Sequence, residues 1–138
     1  MQMYKKVLVP MALDHDVSPR TLTMGQSLAG EDGQVIALHV YEPPRGTVAA
    51  YVDQNTIDEG RRRARAKLTE KTRDLPGVTC AMVLGQGYRA IIEYAEKHDI
   101  DCIVLGSHRP GFSDFLLGST AARVVRHAAC DVLVCRSS

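Results

Sequence analysis

The sequence lacks an excess of charge of either sign: 17 lysines and arginines stand against 16 aspartates and glutamates, for a formal net charge of +1. A dedicated nucleic-acid binder normally carries a marked basic excess, so this balance argues against one. No apolar run reaches the roughly eighteen residues that a membrane span needs. The first apolar run is short and soon meets Asp14 and Asp16, which favours a strand over a signal peptide. We therefore expect a cytoplasmic protein that binds neither nucleic acid nor membrane.

The sequence also lacks the residue spacings that mark metal sites and disulfide frameworks. None of its four cysteines belongs to a C-x-x-C pair, and its five histidines are scattered without ligand spacing. Because most of the cysteines lie in or beside apolar runs, buried free thiols are favoured, with a disulfide pair or a zinc site as the alternative. These cysteines are Cys80, Cys102, Cys130 and Cys135.

Apolar residues make up 45% of the 138-residue chain and fall into short runs. A chain of this length forms one domain, residues 1–138, and buries about two thirds of the surface that its unfolded form exposes. Short apolar or alternating runs predict five strands. The predicted strands span residues 6–10, 35–40, 78–84, 100–105 and 131–135.

Helical segments are predicted between these strands. Ser18 and Pro19 indicate a helix start, because serine caps a helix and proline fits its first turn, and Gly30 indicates the end. Thr56 and Glu59 have the spacing of a capping box, so a second helix is expected to begin at Thr56. The remaining two helices are predicted at residues 88–98 and 118–129.

The second helix carries a basic cluster between residues 61 and 67 that has the composition of a phosphate-binding patch. The pairs Asp58–Arg62 and Glu59–Arg63 are spaced i,i+4, as in a helix whose charged face is supported by ion pairs. A solvated helix face is therefore favoured over a phosphate site.

Strands that alternate with helices predict a parallel sheet with right-handed crossovers and helices on both faces. Such a sheet binds ligands beyond the carboxyl ends of its strands, where the strand order reverses. The long connection after the fourth strand, residues 106–120, is rich in glycine and carries Arg109. This loop is therefore the first candidate for a ligand site.

The loop contains the groups that a phosphate would need. Gly106 ends the fourth strand, where the missing Cβ lets a ligand approach the backbone. Gly118, Ser119 and Thr120 open the last helix, whose free N–H groups and dipole favour an anion. Arg109 adds a fixed cation with a donor fork that suits phosphate oxygens.

Each of these residues also has a simpler interpretation. Ser119 or Thr120 would cap the last helix in any protein, a role compatible with phosphate binding. Gly111 follows Pro110 as a turn residue, and Asp114 is interpreted as a turn residue rather than a general base. His108 is interpreted as a surface histidine rather than a catalytic one.

The same loop resembles the signature of the universal stress protein family. In that signature a glycine, two residues, a second glycine and nine further residues precede Gly-Ser or Gly-Thr. Gly106 matches the first glycine, and Gly118 with Ser119 matches the closing pair. The similarity extends along the chain, since residues 7–14, 85–96 and 121–136 resemble the family's first strand, its helix before strand four, and its final helix and strand.

Two positions depart from the family pattern. Arg109 stands in place of the second glycine, and eight residues rather than nine separate it from Gly118. This SHRP form followed by LLGS is itself similar to a subgroup of small bacterial members of the ATP-binding type. Ala12 stands where the family usually places an aspartate that helps to hold the nucleotide, and Asp14 is a carboxylate that could reach in instead.

The resemblance implies a Rossmann-like three-layer αβα sandwich of the α/β class, with a five-stranded parallel sheet of order 3-2-1-4-5. It also implies a homodimer paired through strand five, Asp131–Cys135, and ATP with Mg²⁺ across the ends of strands one and four. Val40 corresponds to the position whose backbone contacts adenine. The nucleotide-binding residues implied are Pro10, Met11, Ala12, Val40, Gly106, Ser107, His108, Arg109, Gly118, Ser119 and Thr120.

The resemblance further implies an ATP-binding regulatory protein of the universal stress response. The alternative is a family member that binds no nucleotide and acts as a dimeric interaction module. No residue stands out as a general base, so we expect no enzyme, although slow ATP hydrolysis is compatible with the first function.

Other families with related folds or chemistry fit less well. A receiver domain needs an aspartate at the end of strand three, where this chain has Val83, Leu84 and Gly85. An ATP pyrophosphatase needs a loop rich in serine and glycine after strand one, and no P-loop lysine motif or G-x-G-x-x-G follows any strand. Ser107 is next to His108, but sequence neighbours rarely form a catalytic dyad.

Overall fold

The structure is a computed structural model that describes residues 3–13, 20–43, 51, 53–107 and 118–136. Within these residues strands and helices alternate along the whole chain. The elements are β1 (Lys6–Pro10), α1 (Arg20–Ala29), β2 (Gln34–Tyr41), α2 (Gln54–Thr72), β3 (Val78–Leu84), α3 (Gly87–Lys97), β4 (Cys102–Gly106), α4 (Ser119–His127) and β5 (Asp131–Cys135).

The five strands form one parallel sheet in the order β3-β2-β1-β4-β5, which confirms the predicted fold class and strand order. β1 lies at the centre and pairs with β2 along its whole length, from Lys6 opposite Gln34 to Pro10 opposite Leu38. Its pairing with β4 covers the positions of Val7 and Leu8. The order reverses between β1 and β4, so the crevice expected in such folds lies at the carboxyl ends of these two strands.

The start of β1 is tied to the start of β4 by hydrogen bonds. The backbone N–H groups of Lys5 and Lys6 donate to the Asp101 carboxylate at 2.8 and 3.0 Å, and the Asp101 N–H donates to the Lys6 carbonyl at 3.1 Å. Residues 96 positions apart in the sequence are thus joined at the amino-terminal edge of the sheet.

A separate hydrophobic core lies on each face of the sheet, as expected where side chains alternate along buried parallel strands. Val7 and Val9 point into the core covered by α1 and α2, which includes Leu22 and Leu68. Leu8 points into the opposite core, under α3 and α4, whose members include Ile91, Ile103 and Val124. Val7, Leu8 and Val9 are fully buried. The three-layer architecture therefore follows from the strand alternation.

The structure corrects two of the predicted helix starts and ends. α2 begins at Gln54, with Asp53 as its N-cap, because the Asp53 carboxylate accepts from the Thr56 N–H at 2.8 Å. Thr56 therefore lies inside the first turn and is not the capping residue. α4 ends at His127, because Ala128 already has extended backbone angles. Ser18 and Pro19 lie outside the described residues, while Gly30 follows α1 with φ of +68° as predicted.

Strand β4 begins at Cys102, two residues later than predicted. The Ile100 N–H donates to the Ala95 carbonyl at 3.0 Å, so Ile100 is bonded back to the last turn of α3 rather than to the sheet. Asp99 before it has φ of +55°, a left-handed turn that redirects the chain into the strand. The bounds of β3 and β5 match the predicted strands.

The basic cluster of α2 forms a solvated face, as predicted. Glu59 pairs with Arg63 at 3.9 Å and also with Arg62 at 3.5 Å, and all three side chains are largely exposed. Asp58, the partner predicted for Arg62, instead accepts from the Gln54 amide at 3.0 Å. Exposed pairs of this kind add little stability.

All four cysteines are free thiols. Cys102 and Cys135 are buried as predicted and Cys130 is half-buried, but Cys80 is exposed because it lies on the edge strand β3. Burial raises the pKa of the Cys102 thiol to about 11. The described residues hold no cluster of three histidine, cysteine or carboxylate side chains that could bind a metal ion, and none of their helices is long and apolar enough to cross a membrane.

Candidate functional site

The carboxyl end of β1 is anchored to β2 at the predicted site. The Met11 N–H donates to the Leu38 carbonyl at 2.8 Å, and the Met11 carbonyl lies 2.9 Å from Nδ1 of His39. Because a carbonyl oxygen only accepts, the His39 ring carries its proton on Nδ1. Met11 is buried while Ala12 is exposed, so the chain leaves the sheet just after Pro10 with its backbone fixed.

Gly106 provides an open position at the carboxyl end of β4. Among the described residues, no heavy atom outside its chain neighbours lies within 4 Å of a Cβ built on it, and its backbone φ is not in the positive region. The residue is also exposed. The described residues therefore leave space beside this glycine at the carboxyl end of β4.

The loop after β4 returns to the point at which it leaves the sheet. Ser107 is 2% exposed, and its N–H donates to the Cys135 carbonyl at 2.9 Å. The Gly118 N–H donates to the Ser107 carbonyl at 2.7 Å, so the start of α4 is held directly beside the end of β4. His108 and Arg109 lie outside the described residues.

The first turn of α4 presents backbone N–H groups and two exposed hydroxyl side chains. Gly118 is the N-cap, with extended backbone angles and no side-chain hydrogen bond to the cap, so the alternative that Ser119 or Thr120 caps this helix is wrong. Ser119 and Thr120 are exposed, and the N–H groups at a helix start have no acceptor within the helix. Together with the helix dipole, these groups suit an anion.

Val40 lies near the carboxyl end of β2, on the same edge of the sheet. It is half-buried, pairs with Val83 of β3 and packs against the core under α3 and α4. The described part of the predicted set, which is Pro10, Met11, Ala12, Val40, Gly106, Ser107, Gly118, Ser119 and Thr120, therefore lies at the ends of β1, β2 and β4 and at the start of α4.

A cleft of about 600 Å³ opens beside this edge, between α3 and α4. Sequence reasoning missed most of it, although Arg123 and Arg126 recur at i,i+3 on the predicted last helix and could have indicated a basic face. The cleft is lined by Glu42, Gln86, Gly87, Tyr88, Arg89, Ser119, Thr120, Arg123, Arg126 and His127.

Tyr88 contacts side chains from both helices that line this cleft. Its ring stacks on His127, with centroids 5.5 Å apart and an interplanar angle of 21°, and the Arg123 guanidinium carbon lies 5.4 Å from the ring centroid. A hydrogen bond with Arg89, aided by the charges of Arg89 and Arg123, lowers the pKa of the Tyr88 phenol. The Glu42 carboxylate accepts a hydrogen bond from the Gly87 N–H at the start of α3.

Comparisons with known proteins agree with the observed fold. Residues 3–136 match the model of the universal stress protein family. "Universal stress protein G" of Shigella flexneri is 28% identical over 143 residues, which cover 97% of this chain and 100% of that protein. The solved structure of universal stress protein UspA from Lactobacillus plantarum superposes with a TM-score of 0.79 at 25% identity, over 99% of this chain and 100% of that one.

A universal stress protein solved in complex with cAMP is also similar to this chain. The two share 26% identity and superpose with a TM-score of 0.71, over 99% of this chain and 100% of that one.

Proposed function

Because the chain belongs to the universal stress protein family, we propose that it is a cytoplasmic regulatory protein that binds an adenine nucleotide, and that ATP with Mg²⁺ is its ligand. One observation carries the proposal: Gly106, with open space where a Cβ would be, lies at the end of β4, to which the start of α4 is hydrogen-bonded. The similarity to a family member solved with cAMP supports the choice of an adenine nucleotide.

In this proposal the nucleoside lies against the carboxyl ends of β1 and β2. Pro10 and Val40 are half-buried and offer backbone groups and apolar surface there, and the hydrogen bonds of Met11 to β2 keep that surface fixed. A preorganised surface binds a rigid base with little loss of conformational freedom.

The phosphates would lie between Gly106 and the first turn of α4. Ser119 and Thr120 supply N–H groups and hydroxyls next to Gly118, and His108 and Arg109 follow Ser107 in the loop. This donor set fits phosphate oxygens. No carboxylate cluster is present among the described residues, so Mg²⁺ would be held by the phosphates and water, as is common for this ion.

We assign binding rather than catalysis to the site. The groups proposed here are backbone amides, hydroxyls and one arginine, with His108 interpreted as a surface residue, and such groups position phosphates without supplying a general base. A regulatory protein needs only a difference between its bound and free states.

Ala12 favours a second candidate function, an interaction module that binds no nucleotide. Its methyl group is exposed at the edge where an acceptor for the nucleoside is expected, and it offers no hydrogen bond. One missing hydrogen bond costs about 0.5–1.5 kcal/mol, which weakens a nucleotide site without abolishing it. Nucleotide binding therefore stays the favoured proposal.

Calorimetric titration with MgATP and with adenosine tests the proposal. We expect both ligands to bind, with MgATP in the micromolar range or weaker, about 8 kcal/mol of binding free energy at most. Absence of heat and of any melting shift at millimolar MgATP would contradict nucleotide binding and favour the interaction module.

A further inference from the structure

The cleft between α3 and α4 concentrates positive charge in a chain that is otherwise nearly neutral. Arg89, Arg123 and Arg126 line it together with His127, against the single carboxylate of Glu42. The whole chain has a formal net charge of only +1. Positive charge gathered at one concave surface raises the local concentration of anions.

The cleft arginines are available to a ligand. All three are exposed, and among the described residues none forms an ion pair with a carboxylate. Glu93, one turn after Arg89 on α3, interacts with Arg89 electrostatically without such a pair. The Glu42 carboxylate accepts a hydrogen bond from the start of α3, so its charge is already partly compensated by that helix.

Two arginines of the cleft and their polar neighbours form an ordered row along α4. Ser119, Thr120, Arg123, Arg126 and His127 follow one another over about two turns, roughly 10 Å of helix. The Tyr88 ring contacts both Arg123 and His127, which limits the freedom of these side chains before any ligand arrives. The row is too long for one phosphate group and matches a chain of several.

We propose that the α3–α4 cleft is an anion site for an oligophosphate chain, held by Arg89, Arg123 and Arg126. Guanidinium groups bind phosphate oxygens through paired N–H donors, and successive phosphates present such oxygens at regular intervals. The cleft shares Ser119 and Thr120 with the proposed nucleotide site. Its arginines can also bind an oligophosphate that carries no nucleoside. The bound oligophosphate is therefore either a free molecule or the extended phosphate tail of a nucleotide.

The test compares Arg126→Gln with Arg65→Gln by calorimetry, using tripolyphosphate, orthophosphate, MgATP and adenosine. Arg126 is exposed and lies about two turns from the start of α4, so its replacement leaves the fold and the nucleoside surface intact. Arg65 is an exposed arginine of α2, on the opposite face of the sheet, and its replacement makes the same change in net charge.

We expect the wild-type protein to bind one tripolyphosphate per chain, more tightly than orthophosphate and less tightly as salt is raised. Arg126→Gln should weaken tripolyphosphate by about tenfold or more, while Arg65→Gln changes it by less than about twofold. No binding of tripolyphosphate, no loss in Arg126→Gln, or equal losses in both variants would overturn the proposal.

The titrations with MgATP and adenosine show which molecule supplies the oligophosphate. If Arg126→Gln weakens MgATP as much as tripolyphosphate and leaves adenosine unchanged, the cleft holds a nucleotide tail. If tripolyphosphate still binds in saturating adenosine and MgATP is unaffected by Arg126→Gln, the ligand is a free oligophosphate. Failure of MgATP and adenosine to bind, with tripolyphosphate binding intact, would contradict the proposed function and leave the oligophosphate site standing.

Discussion

A side chain at position 106 would meet none of the described residues, because no heavy atom of theirs beyond its chain neighbours lies within 4 Å of a Cβ built on Gly106. The backbone angle φ of this residue is also not positive, so neither its backbone conformation nor its described neighbours require glycine there. A ligand that approaches the end of β4 does require it, since a Cβ would fill the space in which phosphates or ribose are proposed to lie. A substitution at position 106 is therefore expected to change ligand binding without changing the stability of the fold.

Gly106→Val should leave the melting temperature nearly unchanged and weaken MgATP by about 1–3 kcal/mol or more, the usual cost of forcing added methyl groups into a filled contact. Gly106→Ala, which adds one carbon, should give the smaller loss. Thermal unfolding and calorimetry on both variants measure the two effects. Unchanged MgATP affinity in Gly106→Val would mean that the ligand does not approach this backbone.

At the scale of single elements, the start of α2 depends on one side chain. The Asp53 carboxylate accepts from the Thr56 N–H at 2.8 Å, and this hydrogen bonding with Thr56 lowers the pKa of Asp53. A group whose pKa is lower in the folded state stabilises the fold above its unfolded-state pKa. The contribution is lost as the pH falls through the folded-state pKa.

The helix start should therefore lose stability in acid through Asp53. Asp53→Asn, which keeps a good capping side chain but cannot ionise, should weaken that part of the pH dependence, whereas Asp53→Ala should destabilise the first turn at every pH. The protection factors of the first-turn amides, obtained from hydrogen exchange between about pH 7 and about pH 3, measure both effects. If the protection factors of Asp53→Asn change with pH as steeply as those of the wild-type protein, the carboxylate is not the titrating group.

The sequence predicted the strands better than the helix ends. A short apolar or alternating run defines a strand by itself, and β3 and β5 were placed to the residue. A helix start instead depends on which of several side chains bonds the first free N–H. Asp53 and Thr56 are both good capping residues, so composition alone did not choose between them.

The candidate site likewise has one part that was predicted from the sequence and one part that was not. Gly106 and the Gly118–Thr120 segment follow from local spacing and from the resemblance, and the structure holds the ends of this loop together. The cleft residues Tyr88 and Arg123 were missed, because their contact joins α3 to α4 and depends on how the two helices pack. No local pattern encodes that contact.

At the scale of the whole molecule, the sheet has two edges, β3 and β5. Val132, Leu133 and Val134 of β5 are only half-buried in the single chain, and unpaired backbone groups run along its outer side. An apolar edge strand of this kind is commonly covered by a second chain. We therefore keep the prediction of a homodimer paired through Asp131–Cys135.

Light scattering should give a dimer mass for the wild-type protein at micromolar concentration. Val134→Lys should give a monomer with a similar melting temperature, because a lysine at the edge opposes strand pairing while its stem still covers apolar surface. Thr79→Lys, at an exposed position of β3 on the other edge, is the matched control and should remain dimeric. A monomeric wild-type protein would contradict the dimer, and a monomeric control would place the interface elsewhere.

The central position of β1 also fixes the order in which the sheet can close during translation. β2 reaches β1 early and β3 then adds to β2, but the other neighbour of β1, which is β4, begins beyond Asp101, 96 residues after Lys5. At the usual 5–20 residues per second, the ribosome takes about 5–20 s to synthesise that interval. During that time β1 lacks its β4 neighbour, so one edge of this strand is unpaired. Val7, Leu8 and Val9 of β1 are fully buried in the finished protein. Chains that stop before Cys102 keep that apolar edge open, and it can pair with any other strand they meet.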